Sequence, residues 1–359
     1  MHFSTLLAAS SAILPALAAP ARQVSLKDAA SAVPGESSLF TTYPGRHTPL
    51  ASNWTRVIPA TGTGEAGSDD LLFQNLLSAE WVIYSFYQKA VETFKPEDFT
   101  KLGYKNTTYE RIVNIRDNEA GHIRIFQDQI SDNSLKPGPC SYDYGFNTSA
   151  AEFLELQVYI EVSSQAFLTG LQLEATKDKS KSALMAIGQT ETRHNVWSLI
   201  ENYRVSPFAG PADTTYPYAN QVLELTRSFI LECPSANPVY PSPRQALPQI
   251  AIWGNGTTAT PGSVIQPLFY QPENQPEFLS NTTYYAVFYH GVNTVSVEYD
   301  YNVNEVTIPK DFDINSGIII MNIAKEKDAP TAESVVAGPL ILLQQPHVLT
   351  LETPDVVTL

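Results

Sequence analysis

The sequence predicts an α+β protein: a four-helix bundle with one long crossover, followed by a β-rich C-terminal region. Three observations carry this. Apolar residues recur at helical spacing from about residue 69 to 203. The connections between the first and second and between the third and fourth helical segments are short, whereas 131–148 runs for 18 residues and contains Pro137-Gly138-Pro139. At ~3.3 Å per extended residue such a segment can cross the whole length of a bundle. Beyond residue 240 the pattern changes to short β-branched and aromatic runs separated by Asn, Gly, Pro and Asp.

The first helix is expected over 69–94, with Ser68, Asp69 and Asp70 as cap candidates at its positive end. After the loop KPEDFTKLGYKNTT, the second runs over 109–130. The third begins at Ser149, whose partner Glu152 three residues on completes a capping box, and continues to Ala175. The fourth covers 180–203 and is closed by Pro207, and a shorter fifth over 220–232 stops at Cys233-Pro234. Antiparallel strands are expected over 264–270, 283–290, 294–301, 317–323 and 340–343. His290 and His347, in or near these strands, are lone histidines and read as structural or exposed.

Charge limits the partners. The 359 residues carry 37 acidic against 22 basic side chains, a formal charge of −15. Binding to nucleic acid or to an anionic membrane needs a basic surface, so neither is expected. Residues 1–18 read as a secretory signal cut near Ala18; a membrane anchor is the competing reading, but Ser10, Ser11 and Pro15 interrupt an apolar run already short of the ~20 residues a span needs. The expected organisation is therefore a signal over 1–18, an extended leader over 19–67, a bundle over 68–235 and a β-rich region over 236–359. Five glycosylation sequons, at Asn53, Asn106, Asn147, Asn255 and Asn281, agree with an extracellular or cell-wall location. Cys140 and Cys233 form an even pair in an oxidising route and are expected to make one disulfide, two inert thiols being the alternative.

The chemistry sits on the apolar seams of the helices. Glu119-Ala-Gly-His122 on the second helix and Glu191-Thr-Arg-His194 on the fourth are both Glu-x-x-His, a spacing that puts carboxylate and imidazole on one helical face. Both pairs occupy core positions: Ile112, Ile115, Glu119, His122 and Phe126 follow one seam, and Leu184, Ile187, Glu191 and His194 another. The first helix adds Glu80 between Leu77 and Tyr84, and the third adds Glu161 between Val158 and Gln165, with Glu155 about 120° off the seam. Four glutamates and two histidines from four helices are the pattern of a dinuclear metal–carboxylate site, and two divalent cations would neutralise four buried carboxylates. The donor set suits iron or manganese, with zinc also accepted. The competing reading is a set of satisfied interhelical polar contacts. Tyr84, one turn from Glu80, is a candidate to hydrogen-bond a ligand or else packs in the core, and Arg193 points about 100° away from His194, towards a salt bridge.

These residues resemble the ferritin-like proteins that include secreted fungal stress-response and late-sexual-development proteins and plant desiccation-related proteins. The resemblance covers about 68–205 and rests on NLLSAEWVIYSFY around Glu80, RDNEAGHIRIF around Glu119 and His122, YIEVSSQAF around Glu161 and GQTETRHNVW around Glu191 and His194. It implies bridging roles for Glu119 and Glu191, terminal roles for Glu80 and Glu161, and one histidine per metal. The tail VAGPLILL at 336–343 looks like the β-rich end of the fungal members. The expected substrates are small molecules (peroxide, dioxygen or Fe(II)), handled by a di-iron or di-manganese oxidoreductase of catalase-like or ferroxidase-like type. The alternative is a non-enzymatic secreted protein in which the metals, zinc included, act as a stabilising clip.

Overall fold

A computed structural model describes residues 50, 52–204, 206–207, 214–252, 260–312 and 318–343. The signal at 1–18, Asn255 and His347 lie outside them. Along the chain the elements are helices α1 (Asp70–Thr93), α2 (Pro96–Thr100) and α3 (Thr108–Gln129), strand β1 (Ser141–Tyr142), and helices α4 (Ala150–Glu174), α5 (Asp178–Glu201) and α6 (Ala219–Thr226). Strands β2 (Ile230–Glu232), β3 (Ala251–Ile252), β4 (Val264–Ile265), β5 (Pro267–Leu268), β6 (Tyr284–His290), β7 (Asn293–Tyr299), β8 (Val306–Thr307), β9 (Ile318–Ala324) and β10 (Val335–Leu343) follow.

The four long helices α1, α3, α4 and α5 fall within two residues of their expected positions. α1 and α3 pack along each other, as do α4 and α5. Ser149 caps α4 by accepting from the Glu152 backbone N–H at 3.3 Å. At the start of α1, Asp69 reaches across the bundle rather than capping its own helix: its carboxylate accepts from the backbone N–H groups of Thr176 and Lys177 at 3.0 and 3.2 Å. Asp70 does the same for the crossover, accepting from the Ser131 backbone at 3.0 Å and from the Ser131 hydroxyl at 2.5 Å. The first turn of α1 therefore ties together both ends of the loops that meet there.

The long connection between α3 and α4 runs beside α1, held by Trp81 Nε1 donating to the Pro137 carbonyl at 2.9 Å and by the Tyr144 hydroxyl donating to the Val82 carbonyl at 2.7 Å. Gly138 is required there, because a Cβ would stand 2.5 Å from the Val57 nitrogen. Cys140 and Cys233 are joined in a disulfide.

Three expectations need correction. The fifth helix is shorter than drawn: α6 ends at Thr226, and after a 3₁₀ turn the chain becomes strand β2, which pairs antiparallel with β1 beside the disulfide. The short loop after α1 contains a helix of its own, α2, started by Pro96 at its first position and by Asp98, whose carboxylate accepts from the Lys95 N–H at 2.9 Å. The strand expected over 264–270 is split, β4 pairing with β8 and β5 with β3, because Pro267 has no N–H to continue a ladder.

The main sheet is antiparallel with order β10-β9-β6-β7. β6 and β7 are joined by a two-residue turn in which Gly291 takes φ 63°, the left-handed conformation a tight hairpin needs. One face of the sheet, with Val287, Tyr289, Ile320 and Val335, belongs to the same core as the helices. The other, with Ala286, Phe288, Ile319 and Met321, forms a second core under the short strands. The β-rich region is thus packed on the bundle, and His290 is structural: it is buried, its Nδ1 lies 3.0 Å from the Ile318 carbonyl and its ring stacks on Phe312. Asn53, Asn106, Asn147 and Asn281 all stand exposed in turns. No helix among the described residues is long and apolar enough to cross a membrane.

Candidate metal centre

Each of the four long helices brings its seam polar residues to its middle, where apolar neighbours bury them. Glu80 comes from α1, Glu119 and His122 from α3, Glu161 from α4, and Glu191 and His194 from α5. The carboxylates are at most 1% exposed and the imidazoles 5% and 6%. All six sequence-selected residues meet. They form two overlapping groups, Glu80, Glu119, His122 and Glu191 in one and Glu119, Glu161, Glu191 and His194 in the other, with the ligand atoms of each group within 4.8 Å of one another. Glu119 and Glu191 stand in both groups.

Distances resolve the two halves. His122 Nδ1 lies 2.8 Å from Glu119 Oε2, 3.2 Å from Glu80 Oε1 and 3.3 Å from Glu191 Oε1. His194 Nδ1 lies 3.1 Å from Glu119 Oε1, 3.2 Å from Glu191 Oε2 and 3.5 Å from Glu161 Oε2. Glu119 and Glu191 each turn one oxygen to each histidine. Despite this closeness, Glu119 Oε1, Glu161 Oε2, Glu191 Oε2 and His194 Nδ1 are buried without a hydrogen-bond partner. Orphaned acceptors at full burial are costly. Four donor atoms converging without hydrogen-bond geometry fit a cation on the His194 side, and the same donor types gather around His122, where Nδ1 is within hydrogen-bond reach of Glu119 and Glu80, so the residues present suit a pair of metal ions.

Protonation follows from crowding. Burial and the Glu119 charge push Glu80 well above the usual carboxylate range, and burial with the Glu191 and Glu119 charges raises Glu161 to about 8. Burial would raise Glu119 too, but the His122 and His194 charges hold it far below its ordinary value. Against burial and the Glu119 charge, His122 likewise lowers Glu191. Burial opposes the charged form of both histidines, yet the surrounding carboxylates push each well up. These directions favour protons on Glu80, Glu161 and both histidines and charge on Glu119 and Glu191, an arrangement in which the metal-free cluster carries no net charge.

One participant is new. Tyr87, fully buried on α1, donates its hydroxyl to Glu161 Oε1, while Tyr84 does not reach the cluster: its phenol oxygen accepts from the Leu50 backbone N–H at 2.8 Å. Seven residues from Glu80, Tyr87 is about 20° off its azimuth, against about 40° for Tyr84, and long helical side chains lean towards the N-terminus, which carries the Tyr87 ring back to the level of the carboxylates. That lean is the signal that could have found it. Arg193 is exposed and donates to the Thr190 hydroxyl at 3.0 Å instead of making the expected ion pair.

The bundle and its site can now be set against known proteins. None of the curated proteins compared matches the chain. A family model described as a ferritin-like domain matches residues 68–202, which span all four long helices and all six cluster residues. The fold is a helical ferritin-like domain followed by a C-terminal strand-rich region.

Proposed function

We propose that the chain is a secreted ferritin-like protein that holds two divalent metal ions, iron or manganese, and handles peroxide, dioxygen or iron in the stress or developmental setting the resemblance implies. The observation that carries it is the pair of four-residue groups sharing Glu119 and Glu191, each with its own histidine and its own outer glutamate. Glu119 and Glu191 would bridge, Glu80 with His122 would complete one metal position, and Glu161 with His194 the other. Redox-active ions held there supply one-electron chemistry towards peroxide or dioxygen. The chain does the rest: Ile112, Phe126 and Leu154, all buried on the seams that carry the ligands, keep bulk water from the carboxylates, and Tyr87 keeps a proton against Glu161. Secretion is supported by the disulfide, by the exposure of the four described sequon asparagines and by the signal-like N-terminus.

The test is metal analysis of protein purified from a secreting host, followed by oxygen evolution from peroxide and aerobic oxidation of Fe(II). About two metals per chain are expected, falling to one or none in Glu119→Ala and His194→Ala. Fewer than one metal per chain after reconstitution with iron or manganese, unchanged in those variants, overturns the reading. A zinc pair without turnover assigns the centre to the stabilising clip instead.

A further inference from the structure

The two halves of the centre differ in what lies outside them. On the Glu80–His122 side the leader crosses the seam of α1 and α3. Leu50 donates to the Tyr84 hydroxyl at 2.8 Å, Gln127 Nε2 donates to the Trp54 carbonyl at 3.0 Å, and the Arg124 guanidinium lies 4.9 Å from the Trp54 ring centre. On the Glu161–His194 side a cavity of about 470 Å³ lies against α4 and α5, lined also by Ile318 of β9 and Leu343 of β10.

Helical geometry brings the cavity beside the ligand-bearing stretches of α4 and α5, although none of the six cluster residues lines it. Val158, Val162 and Gln165 line it at offsets of −3, +1 and +4 from Glu161, and Gly188, Thr192 and Asn195 line it at the same offsets from Glu191. Its volume lies in the range of small-molecule sites, roughly 300–1,000 Å³, and far exceeds the ~30 Å³ of one water. None of its described lining residues carries an ionisable side chain, in a protein whose formal charge is −15. The polar groups it does offer are amides and hydroxyls. Asn195 and Gln165 of the lining also carry an acceptor and a donor, Oδ1 and Nε2, that are buried without a partner and would need a side-chain turn to meet a guest.

Such a lining selects by charge. A hydrated divalent cation would leave its water in a passage whose described lining offers no carboxylate to replace it, whereas acid-lined clefts concentrate cations. We propose that this cavity is the approach to the Glu161–His194 half of the centre and that it admits uncharged small molecules with hydrogen-bonding groups rather than metal cations. The inference rests on the metal reading above and narrows it, making peroxide or another neutral molecule the substrate and iron a resident cofactor rather than cargo.

Gly188 allows a test that touches no ligand. A Cβ there would meet only Leu168 Cδ1, at 3.7 Å, so a longer side chain grows into the cavity. In saturation-transfer NMR on metal-free protein, tert-butanol should report binding in wild type and Gly188→Ala, and lose it in Gly188→Leu and Thr192→Leu; tetramethylammonium, of similar size but charged, should show no signal that these variants change. On protein loaded anaerobically with two Fe(II), stopped-flow nitric oxide binding should slow at least tenfold in Gly188→Leu at equal iron content and equal circular dichroism, and stay within twofold of wild type in Gly188→Ala. Fe(II) beyond two equivalents should oxidise in air no faster than in buffer. Overturning results are an unchanged nitric oxide rate in both leucine variants, tetramethylammonium binding that Gly188→Leu abolishes, or oxidation of excess Fe(II) that Gly188→Leu suppresses. If wild type retains no iron, the metal reading falls, and the tert-butanol arm alone decides whether the cavity takes neutral molecules.

Discussion

Loading the centre with metal should release about four protons. Glu80 and Glu161 are held protonated by burial and by neighbouring carboxylates, and His122 and His194 are held charged by the same carboxylates. All four must lose a proton to become ligands, whereas Glu119 and Glu191 are already ionised. Two divalent ions thus replace four protons and leave the cluster's net charge unchanged, which is what burial demands. The sign follows: affinity rises with pH, and it falls more steeply as pH drops below about 8, where Glu161 takes up its proton. The assay is a titration with Zn(II), chosen because it is redox-silent, in weakly buffered solution with a pH indicator, repeated calorimetrically in two buffers of different ionisation heat. Glu161→Gln should lower the count to about three. Release of fewer than two protons per metal pair, or affinity flat between pH 6 and 8, would refute the protonation pattern and the shared cluster from which it derives.

Tyr87→Phe removes the donor to Glu161 Oε1 without removing the ring and should weaken metal binding by about 10–100-fold in chelator competition; unchanged affinity would strip the hydroxyl of that role. Replacing both Cys140 and Cys233 by serine opens a link between residues 93 apart and should lower stability by roughly 3–5 kcal/mol in urea unfolding, an effect reproduced by reductant on the wild type. Asp69 is lowered to about 2: burial opposes its charge, but hydrogen bonds from Ser180, Thr176 and Lys177 outweigh it. Its contribution, about 1–2 kcal/mol after allowance for solvent screening, is fully present above the unfolded value near 4 and is lost as pH falls towards 2. Asp69→Asn should therefore be less stable than wild type at pH 7 and converge with it near pH 2, and a gap that persists there would show that charge is not the reason.

The bundle was legible because its signals are local and redundant. Helical spacing, the cap at Ser149 and the length of the crossover each point to the same four helices, and all survive in the fold. What failed was information carried by pairing. Nothing in the run from 220 to 232 says that its last three residues leave the helix, because strand β2 exists only by virtue of β1, some ninety residues earlier, held alongside by the disulfide. The same holds for 264–270, where five bulky residues read as one strand until each half finds a different partner.

At the site, periodicity fixes azimuth but not height. Four seams pointing inward do not by themselves put four carboxylates at one level; that requires the helices to share end planes, as antiparallel helices of similar length joined by short loops do. Each glutamate lies near the middle of its helix, and in such a bundle middle meets middle whichever way a helix runs. The height was therefore readable too, from loop lengths rather than from the seams. The aromatic neighbour is less legible, because backbone position alone misleads: Tyr84 is one turn from Glu80 and Tyr87 two, so distance along the helix favours the wrong ring. Azimuth reverses that order, Tyr87 lying about 20° from Glu80 against about 40° for Tyr84, and the leader takes the Tyr84 hydroxyl for itself. A seam residue long enough to span a turn must be assigned to the level where its tip arrives, which for α1 is Glu161 on the opposite helix.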